Sequence, residues 1–389
     1  MTEKLYYKDS HLKSFTARVT DCRPVPEGFV TVLDKTAFFP EGGGQSGDTG
    51  VIGGVCVFDT QEVNGEILHY TAEPLTVGAE YACGIDWEKR FRRMQNHSGE
   101  HIVSGLVHRR FGYSNVGFHM GSDCVTIDFD GYLSPEQLSE IEREANRTVA
   151  DDPAIRCSFP DDETLRTLEY RSKLELTENV RIVEIEGVDR CACCAPHVNS
   201  ASEIGIIKIL SSERRRRGGE GVRVSMLCGL DAYENLALTH TNNAAISVML
   251  SAKREETAQA VERILTEQER LKAKAAALGR ALAESRAEAI GETDGNVCIF
   301  DELLEEPALR ELINAVVPRC KGIAAVFSGN DEKGYRYIMG SNSVDLRAAA
   351  KQLNAGIGGK GGGSPAMIQG SCTGKAEEIA DFLTKFAIL

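Results

Sequence analysis

His97-Ser98-Gly99-Glu100-His101 places two imidazoles four positions apart. On an α-helix, residues i and i+4 share a face, so both rings can reach one ion. Ile102, Val103, Leu106 and Val107 supply an apolar side on which that helix can be anchored. Far downstream, Cys191-Ala192-Cys193-Cys194-Ala195-Pro196-His197 repeats the spacing: Cys193 and His197 are four apart, and Pro196 stiffens the turn before the histidine. Three imidazoles and a thiolate form a donor set suited to Zn2+. Spacing leaves the thiolate open, since Cys191 or Cys194 can replace Cys193. His108, two turns beyond His101, competes as a ligand, although we read it and His119 as ordinary partly buried histidines. A four-ligand site is either closed and structural or opens a position for water or substrate. Glu100, between the two ligands, is a candidate general base; its position on the helix otherwise reads as an exposed residue.

A second segment, Pro40-Glu41-Gly42-Gly43-Gly44-Gln45-Ser46-Gly47-Asp48, combines three consecutive glycines with polar neighbours. Such a loop offers backbone N–H groups to a substrate carbonyl or phosphate; its plain alternative is a hairpin turn.

These residues need a scaffold, and the patterns predict a mixed α+β chain in four parts. Residues 1–88 read as short β-branched and aromatic strands separated by Gly, Pro and Asp, which points to a small β-barrel. Residues 89–229 mix periods. Arg93 to Phe111 is helical and closed by Gly112, and Val125, Ile127 and Phe129 alternate as a half-buried strand. Ser134, Pro135 and Gln137 form a helix-opening capping box. Residues 230–290 shift to Ala, Glu, Lys, Arg and Leu. Val261, Ile264, Leu265, Leu271, Leu278 and Leu282 recur at helical spacing, which reads as a coiled-coil-like arm of one or two helices. Residues 291–389 read as a compact α/β unit carrying Gly356-Ile357-Gly358-Gly359-Lys360-Gly361-Gly362-Gly363, where the backbone must bend sharply or approach a neighbour closely.

The chain has 389 residues, with 58 acidic against 44 basic side chains and a net charge of −14. That balance argues against broad, non-specific nucleic-acid binding, which depends on neutralising phosphates. It leaves room for local basic patches, at Lys89, Arg90, Arg92 and Arg93 and at Arg214 to Arg217. No apolar run approaches the roughly 18 residues of a membrane span, so no membrane partner is expected. The first residues lack an apolar core, so no signal peptide is expected either. With twelve cysteines, this points to a reducing cytoplasm, where close-set Cys serve metals or chemistry.

Four ordered motifs carry a resemblance: FFPEGGGQSGDTG, NHSGEHIVSGLVHRRFG, CCAPHV with EIGIIKI and GVRV, and GIGGKGGGSPAMIQG. Together they resemble the editing domain and DHH-associated C-terminal domain of alanyl-tRNA synthetase, in the layout of the long free-standing alanyl-tRNA editing proteins. The resemblance implies zinc ligands at His97, His101, Cys193 and His197. It also implies an aminoacyl site beside Glu41, Gly42, Gly43, Gly44 and Gln45. Gln45, Gly43, Gly44 and Glu100 become candidate catalytic contacts. Val116, Phe118 and Met120 lie where the family sets its side-chain preference, and no Thr stands there. The ligand loop also departs from the family's usual Cys-Gly-Gly-Thr-His, reading Cys193-Cys194-Ala195-Pro196-His197.

The implied activity is ATP-independent hydrolysis, in trans, of serine or glycine from mischarged alanine tRNA. Arg90, Arg93, Arg214, Arg215, Arg216, Arg217 and Lys360 are the candidate tRNA contacts, and a homodimer through the helical arm or C-terminal domain is expected. Two rivals stand beside it. HSGEH matches the H-x-x-E-H pattern of a zinc peptidase, which leaves the Cys/His tract unexplained. A non-catalytic RNA-binding protein with structural zinc is the other.

Overall fold

Glycine turns and β-branched runs build the first part of the chain. In a computed structural model that describes residues 2–172, 180–215 and 220–386, the strands are β1 (Glu3–Lys4), β2 (Ser14–Val25), β3 (Gly28–Leu33), β4 (Lys35–Thr36), β5 (Gly50–Ile52), β6 (Val55–Val63), β7 (Glu66–Thr71) and β8 (Glu80–Ile85). β1 pairs with β4; the other six pair in the order β2-β3-β7-β6-β5-β8, and β8 returns to β2, closing a barrel. Alternate residues point inward, so Val19, Leu33, Phe38, Ile52, Val57 and Ile85 fill its interior.

Helix α1 (Trp87–Phe111) follows. It begins earlier than the periodicity from Arg93 predicts, because the Asp86 side chain caps it by accepting from the Lys89 N–H. Gly112, left-handed at φ 72°, ends it. β9 (Asn115–Met120) and β10 (Val125–Phe129) lead to α2 (Pro135–Asp151), where Ser134 and Gln137 form the capping box. β11 (Ile155–Ser158), the short α3 (Asp162–Thr167), β12 (Ile182–Ile185) and β13 (Asp189–Ala192) come next, then β14 (Ile207–Arg214) and β15 (Val222–Cys228). Two sheets result, in the orders β14-β15-β10-β9 and β11-β12-β13. One core joins them: Met94, Ile102, Val103 and Leu106 of α1 pack with Ile141 of α2, Ile127 of β10, Val183 of β12 and Val224 of β15.

Two long helices follow, α4 (Gly229–Leu250) and α5 (Thr257–Ile290), separated where Ser251 turns left-handed at φ 48°. Of the apolar stripe on α5, Leu282 packs against the core of the last elements. Val261, Ile264, Leu265, Leu271 and Leu278 are exposed, and the buried residues of α5 are Ala260, Ala283 and Ala287.

The last elements are β16 (Val297–Phe300), α6 (Glu306–Val316), β17 (Ala324–Asn330), β18 (Gly334–Gly340), α7 (Leu346–Gly356), β19 (Gly359–Gly363), β20 (Met367–Cys372) and α8 (Ala376–Lys385). Five strands pair in the order β16-β17-β18-β20-β19. Alternation along β17 and β18 serves both faces. Val326 and Ile338 pack with Ala283, Ala287, Leu309 and Leu312, whereas Phe327, Tyr337 and Met339 pack with Leu353, Ile379 and Leu383. The glycine run becomes an edge strand that lies close to its neighbours. A Cβ on Gly361 would stand 2.3 Å from both the Gln369 carbonyl oxygen and the Tyr337 hydroxyl.

By contact the chain divides into two units, Met1–Asn242 and Asn243–Leu389. Among the described residues no helix is long and apolar enough to cross a membrane.

Candidate metal centre

Helix α1 carries His97 and His101 one turn apart, both buried. The other two donors come from the chain leaving β13. Arg181 pins that loop: its Nη1 donates to the carbonyls of Cys193 (2.9 Å) and Ala195 (2.7 Å), while the Cys193 N–H donates to the Arg181 carbonyl (3.0 Å). The ligand atoms of His97, His101, Cys193 and His197 all lie within 4.8 Å of one another, close enough to hold one metal ion. The structure thus brings Cys193 to the histidines. Cys194 faces the glycine loop: a Cβ on Gly43 would lie 3.5 Å from its sulfur.

Each imidazole is held through Nδ1. His97 Nδ1 donates to the Gln45 amide oxygen (3.1 Å), His101 Nδ1 donates to Asp189 Oδ2 (3.1 Å), and His197 Nδ1 is hydrogen-bonded to Ser98 Oγ (3.0 Å). With Nδ1 engaged in this way, Nε2 of each ring is left to face the centre. His97 Nε2 and His197 Nε2 stand 3.5 and 3.4 Å from Cys193 Sγ. Asp189 is fixed in turn by Arg171, whose Nε and Nη2 each donate to it at 2.7 Å. Asp189 and Arg171 belong to no sequence motif, and Ser98 stands inside the histidine motif with no role assigned. Asp189 lies two residues before Cys191 on the same face of β13.

Electrostatics favour a cation. Burial by itself raises a thiol, but His97, His101 and His197 around Cys193 outweigh it and hold the thiol well below its usual range. Burial pushes His197 down to about 3, so its nitrogen stays an unprotonated donor. His101 moves the other way: burial lowers it, yet the hydrogen bond to Asp189 and the Cys193 sulfur raise it well above the ordinary value. Asp189 falls to about 2, because bonds from His101 and Arg171 overcome the penalty of burial. Imidazole nitrogens beside a ready thiolate are the donor chemistry of soft and borderline dications.

The glycine loop is a two-residue hairpin. Gly42 and Gln45 exchange backbone hydrogen bonds of 3.0 Å, with Gly43 and Gly44 at φ 62° and 82°. At Gly44 a Cβ would stand 2.6 Å from the Phe118 ring, so the turn lies tight on β9. Its feet are Phe39 and Asp48. The Asp48 N–H donates to the Phe39 carbonyl (2.8 Å), and the Phe39 N–H donates to Asp48 Oδ2 (2.7 Å).

Here the expected RNA patch requires correction. Arg90 is fully buried, paired with Asp48 and donating to the Ala37 carbonyl (2.7 Å), so it presents nothing to a polyanion. Arg93 donates to the Gly47 carbonyl (2.8 Å), and Arg92 is engaged by Glu88, Asp231 and Glu234. These guanidiniums clamp the loop and helix. Of the second patch, Arg214 is exposed over the Tyr132 ring and Arg215 faces Asp128 at 3.8 Å, while Arg216 and Arg217 lie outside the described residues. Lys360 is exposed on β19.

Three of the four, His97, His101 and Cys193, border a cleft of about 570 Å3, walled also by Gly43, Glu100, Asn115, Phe118, Arg171, Arg181 and the aromatic rings of Tyr7, Phe159 and Tyr170. Glu100 is 4% exposed, which overturns the exposed-helix reading; it is turned inward by Ser104 and Asn115. Gln45 is buried and occupied with His97. Phe118 packs on the His97 ring at 4.8 Å between centroids. Its two partners in the sequence reading sit elsewhere. Val116 is exposed outside the cleft wall, and Met120 borders a separate cleft and donates its N–H to the Gly44 carbonyl. Glu41 is exposed and accepts from Gln61, Gly42 lies against Cys194, and His108 is exposed at the cleft's outer end.

Comparison with known proteins defines the class. The second additional domain of threonyl and alanyl tRNA synthetases matches residues 180–222, the stretch that holds Cys193 and His197, and the DHHA1 domain matches residues 294–388. A mixed α+β chain with these two domains has the domain set of the alanyl-tRNA synthetase editing half. Over its full length the chain is similar to the alanyl-tRNA editing protein AlaX-L of Pyrococcus horikoshii, 28% identical with 98% of this chain and 97% of the relative covered. It is 26% identical to the alanyl-tRNA editing protein Aarsd1 of Rattus norvegicus, covering 95% and 94%. Alanine--tRNA ligase of Ignicoccus hospitalis is 28% identical across 99% of this chain but only 43% of the ligase. The resemblance to the long alanyl-tRNA editing proteins, first read from four motifs, thus holds from end to end.

Proposed function

We propose that this protein is a trans-acting hydrolase that removes serine or glycine from mischarged alanine tRNA. A pocket built for alanine cannot firmly reject glycine, which lacks one methyl, and hydroxyl-bearing analogues are also poorly excluded by apolar pockets. A second site must then remove the errors. The observation that carries the reading is the His97–His101–Cys193–His197 quartet, three of whose members line an aromatic cleft, inside a chain resembling editing proteins throughout. We assign the metal as zinc, held by those four side chains. Zinc supplies Lewis acidity, polarising a carbonyl or lowering the pKa of a water.

The chain's own residues do the rest. Gln45, Asp189 and Ser98 orient the imidazoles, so the donors need no rearrangement on binding. Gly43 leaves room at the cleft wall, and Phe118 covers the His97 ring. Tyr7, Phe159 and Tyr170 offer faces on which the terminal adenine can stack. Net hydrolysis adds water across the ester: the acyl carbon gains a hydroxyl, and the ribose oxygen leaves with a proton. We place the tRNA body along the basic stretch that begins at Arg214, with Lys360 on the C-terminal unit as a further contact.

The test is deacylation of seryl-tRNA by purified protein before and after metal stripping. Chelation is expected to reduce the rate at least about 100-fold, zinc to restore it, and Cys193→Ala to remain inactive in both states. Survival of mischarged tRNA in a stoichiometric excess of zinc-loaded protein overturns the assignment.

A further inference from the structure

Resting on that reading, we infer that Tyr132 and Arg214 form a clamp for an unpaired nucleotide of the RNA's single-stranded 3′ end, where that end leaves the metal cleft. The ester inside the cleft is the tip of a long polyanion, so the strand behind it must cross the protein surface. Bases of such a strand stack on aromatic faces, and its phosphates pair with guanidinium groups.

The cleft has two rims, and their charges differ. At one, Phe159 is 52% exposed and leads through Pro160 into Asp161, Asp162 and Glu163, exposed carboxylates that repel phosphate. At the other lie His108 and Ser114. Three turns of α1, about 16 Å, separate His97 from His108. That run is long enough for the acylated nucleoside and part of the strand behind it.

From this second rim the path to Tyr132 is short and rigid. The Ser114 N–H donates to Asp130 Oδ1 (2.7 Å), and the Asp130 N–H donates to the Ser114 carbonyl (3.2 Å). Gly131 is buried against the Tyr113 ring, where a Cβ would stand only 2.2 Å from it. Tyr132 comes two residues after Asp130 and so stands within about 7 Å of it. Buried Leu133 and the Ser134 helix cap follow, which fixes the backbone on both sides of the ring. The ring itself is open: Tyr132 is 50% exposed, with the Arg214 guanidinium 5.2 Å over its centroid.

Cross-strand register turns the nearest acids away from that guanidinium. Glu213, Arg223 and Asp128 form one row across β14, β15 and β10, and Arg223 donates to Asp128 at 2.7 and 2.8 Å. Arg214, Val222 and Phe129 form the next row, on the opposite side of the sheet. An aromatic face and a cation are thus held together at the rim from which the strand emerges. The ring takes a base of any identity, and the guanidinium takes the adjoining phosphate.

The experiment uses zinc-loaded full-length protein and an oligoribonucleotide with the last four nucleotides of alanine tRNA, its 3′ end closed by a non-hydrolysable serylamide. 2-Aminopurine, whose fluorescence falls on stacking, replaces each base behind the terminal one in turn. At one of these positions the wild type is expected to quench the signal. Tyr132→Ala is expected to lose that quenching and about 10-fold in affinity at unchanged zinc content, and Tyr132→Phe to keep both. Arg214→Gln is expected to lower the slope of log affinity against log salt by about 0.7, the loss of one phosphate contact on a single strand. Quenching at no position overturns the proposal even if a variant fails to fold. Quenching and affinity retained in Tyr132→Ala also overturn it. A strand that binds and quenches as expected, on protein unable to hydrolyse seryl-tRNA, sinks the deacylase reading and leaves the clamp standing. Hydrolysis by a protein whose Tyr132→Ala variant binds the strand equally well does the reverse.

Discussion

Helices α1 and α5 are patterned in opposite senses. Every residue of α1 from Met94 to Val107 is buried, and half of them are polar or charged: Gln95, Asn96, His97, Ser98, Glu100, His101 and Ser104. The 34-residue α5 buries three alanines and exposes five large apolar side chains. Polar groups can be buried only where partners wait for them, and α1 has those partners. Gln95 donates to the Glu203 carbonyl (2.9 Å), and the Cys228 N–H donates to Asn96 (2.8 Å). The two helices teach that inverted patterning marks a site when every inward polar atom is answered. Outward apolar residues carry no such message by themselves.

The largest effect should come from removing one of those answers. Arg90→Met takes an interior charge from α1 and leaves Asp48 buried without its guanidinium. The expected loss is about 3–5 kcal/mol, the cost of breaking a buried ion pair by one partner. Chemical unfolding of the first unit measures it. Because Asp48 and Phe39 form the feet of the glycine loop, hydrolysis should fall together with stability. If instead tRNA affinity falls while the unfolding midpoint holds, Arg90 contacts RNA after all and the comparison is wrong at its first residue.

The next effect comes from one substitution made on both helices. Alanine for glycine inside a helix gains roughly 1 kcal/mol of propensity. At Gly105 of α1 the new Cβ would stand 2.7 Å from Asp189 Cβ and 2.8 Å from the Val188 carbonyl oxygen, so backbone must shift. Overpacking of that kind costs about 1–3 kcal/mol. The shift also moves Asp189 away from His101, and metal affinity is expected to fall about 10-fold or more, read by competition with a chelating dye. At Gly279 of α5 the added Cβ meets only Ala308 Cβ at 3.2 Å. There the change should stay within about 1 kcal/mol of wild type. Equal outcomes at both positions erase the contrast.

What could be read in advance divides along the same line. The spacing of His97 and His101, the capping box at Ser134 and the tight glycine turn are local, since each depends on helix or turn geometry within a few residues. Arg90 misled because a charged side chain is assigned to solvent until a buried acid is found for it. Asp48 lies 42 positions away, brought near only by closure of the barrel. Glu100 misled in the same way, its partner Asn115 arriving on the next strand. Asp189 and Arg171 carried no motif at all. The choice among Cys191, Cys193 and Cys194 required a backbone, since all three share one short tract and Arg181 sets which of them turns toward the histidines. On α5 the apolar stripe was legible as a helical period, and what covers it was not, because a coiled-coil partner lies outside the chain's own sequence.

The smallest effect tests that last point. Ile264→Glu and Leu271→Glu put charges on side chains that are 52% and 51% exposed. Surface changes away from a packed core typically stay within about 0.5 kcal/mol, and that is the shift expected for each in dilute solution. Helix content should not change, because Glu is as good a helix former as the residues it replaces. The measurement is an unfolding midpoint taken at two protein concentrations tenfold or more apart. A stripe covered by a second copy of the chain behaves differently: the wild-type midpoint rises with concentration, the variants lose that rise, and each substitution costs far more than a surface change. That result would place α5 with α1 as a helix whose pattern is answered, its partner being another protomer. A concentration-independent midpoint leaves the exposed leucines as plain surface.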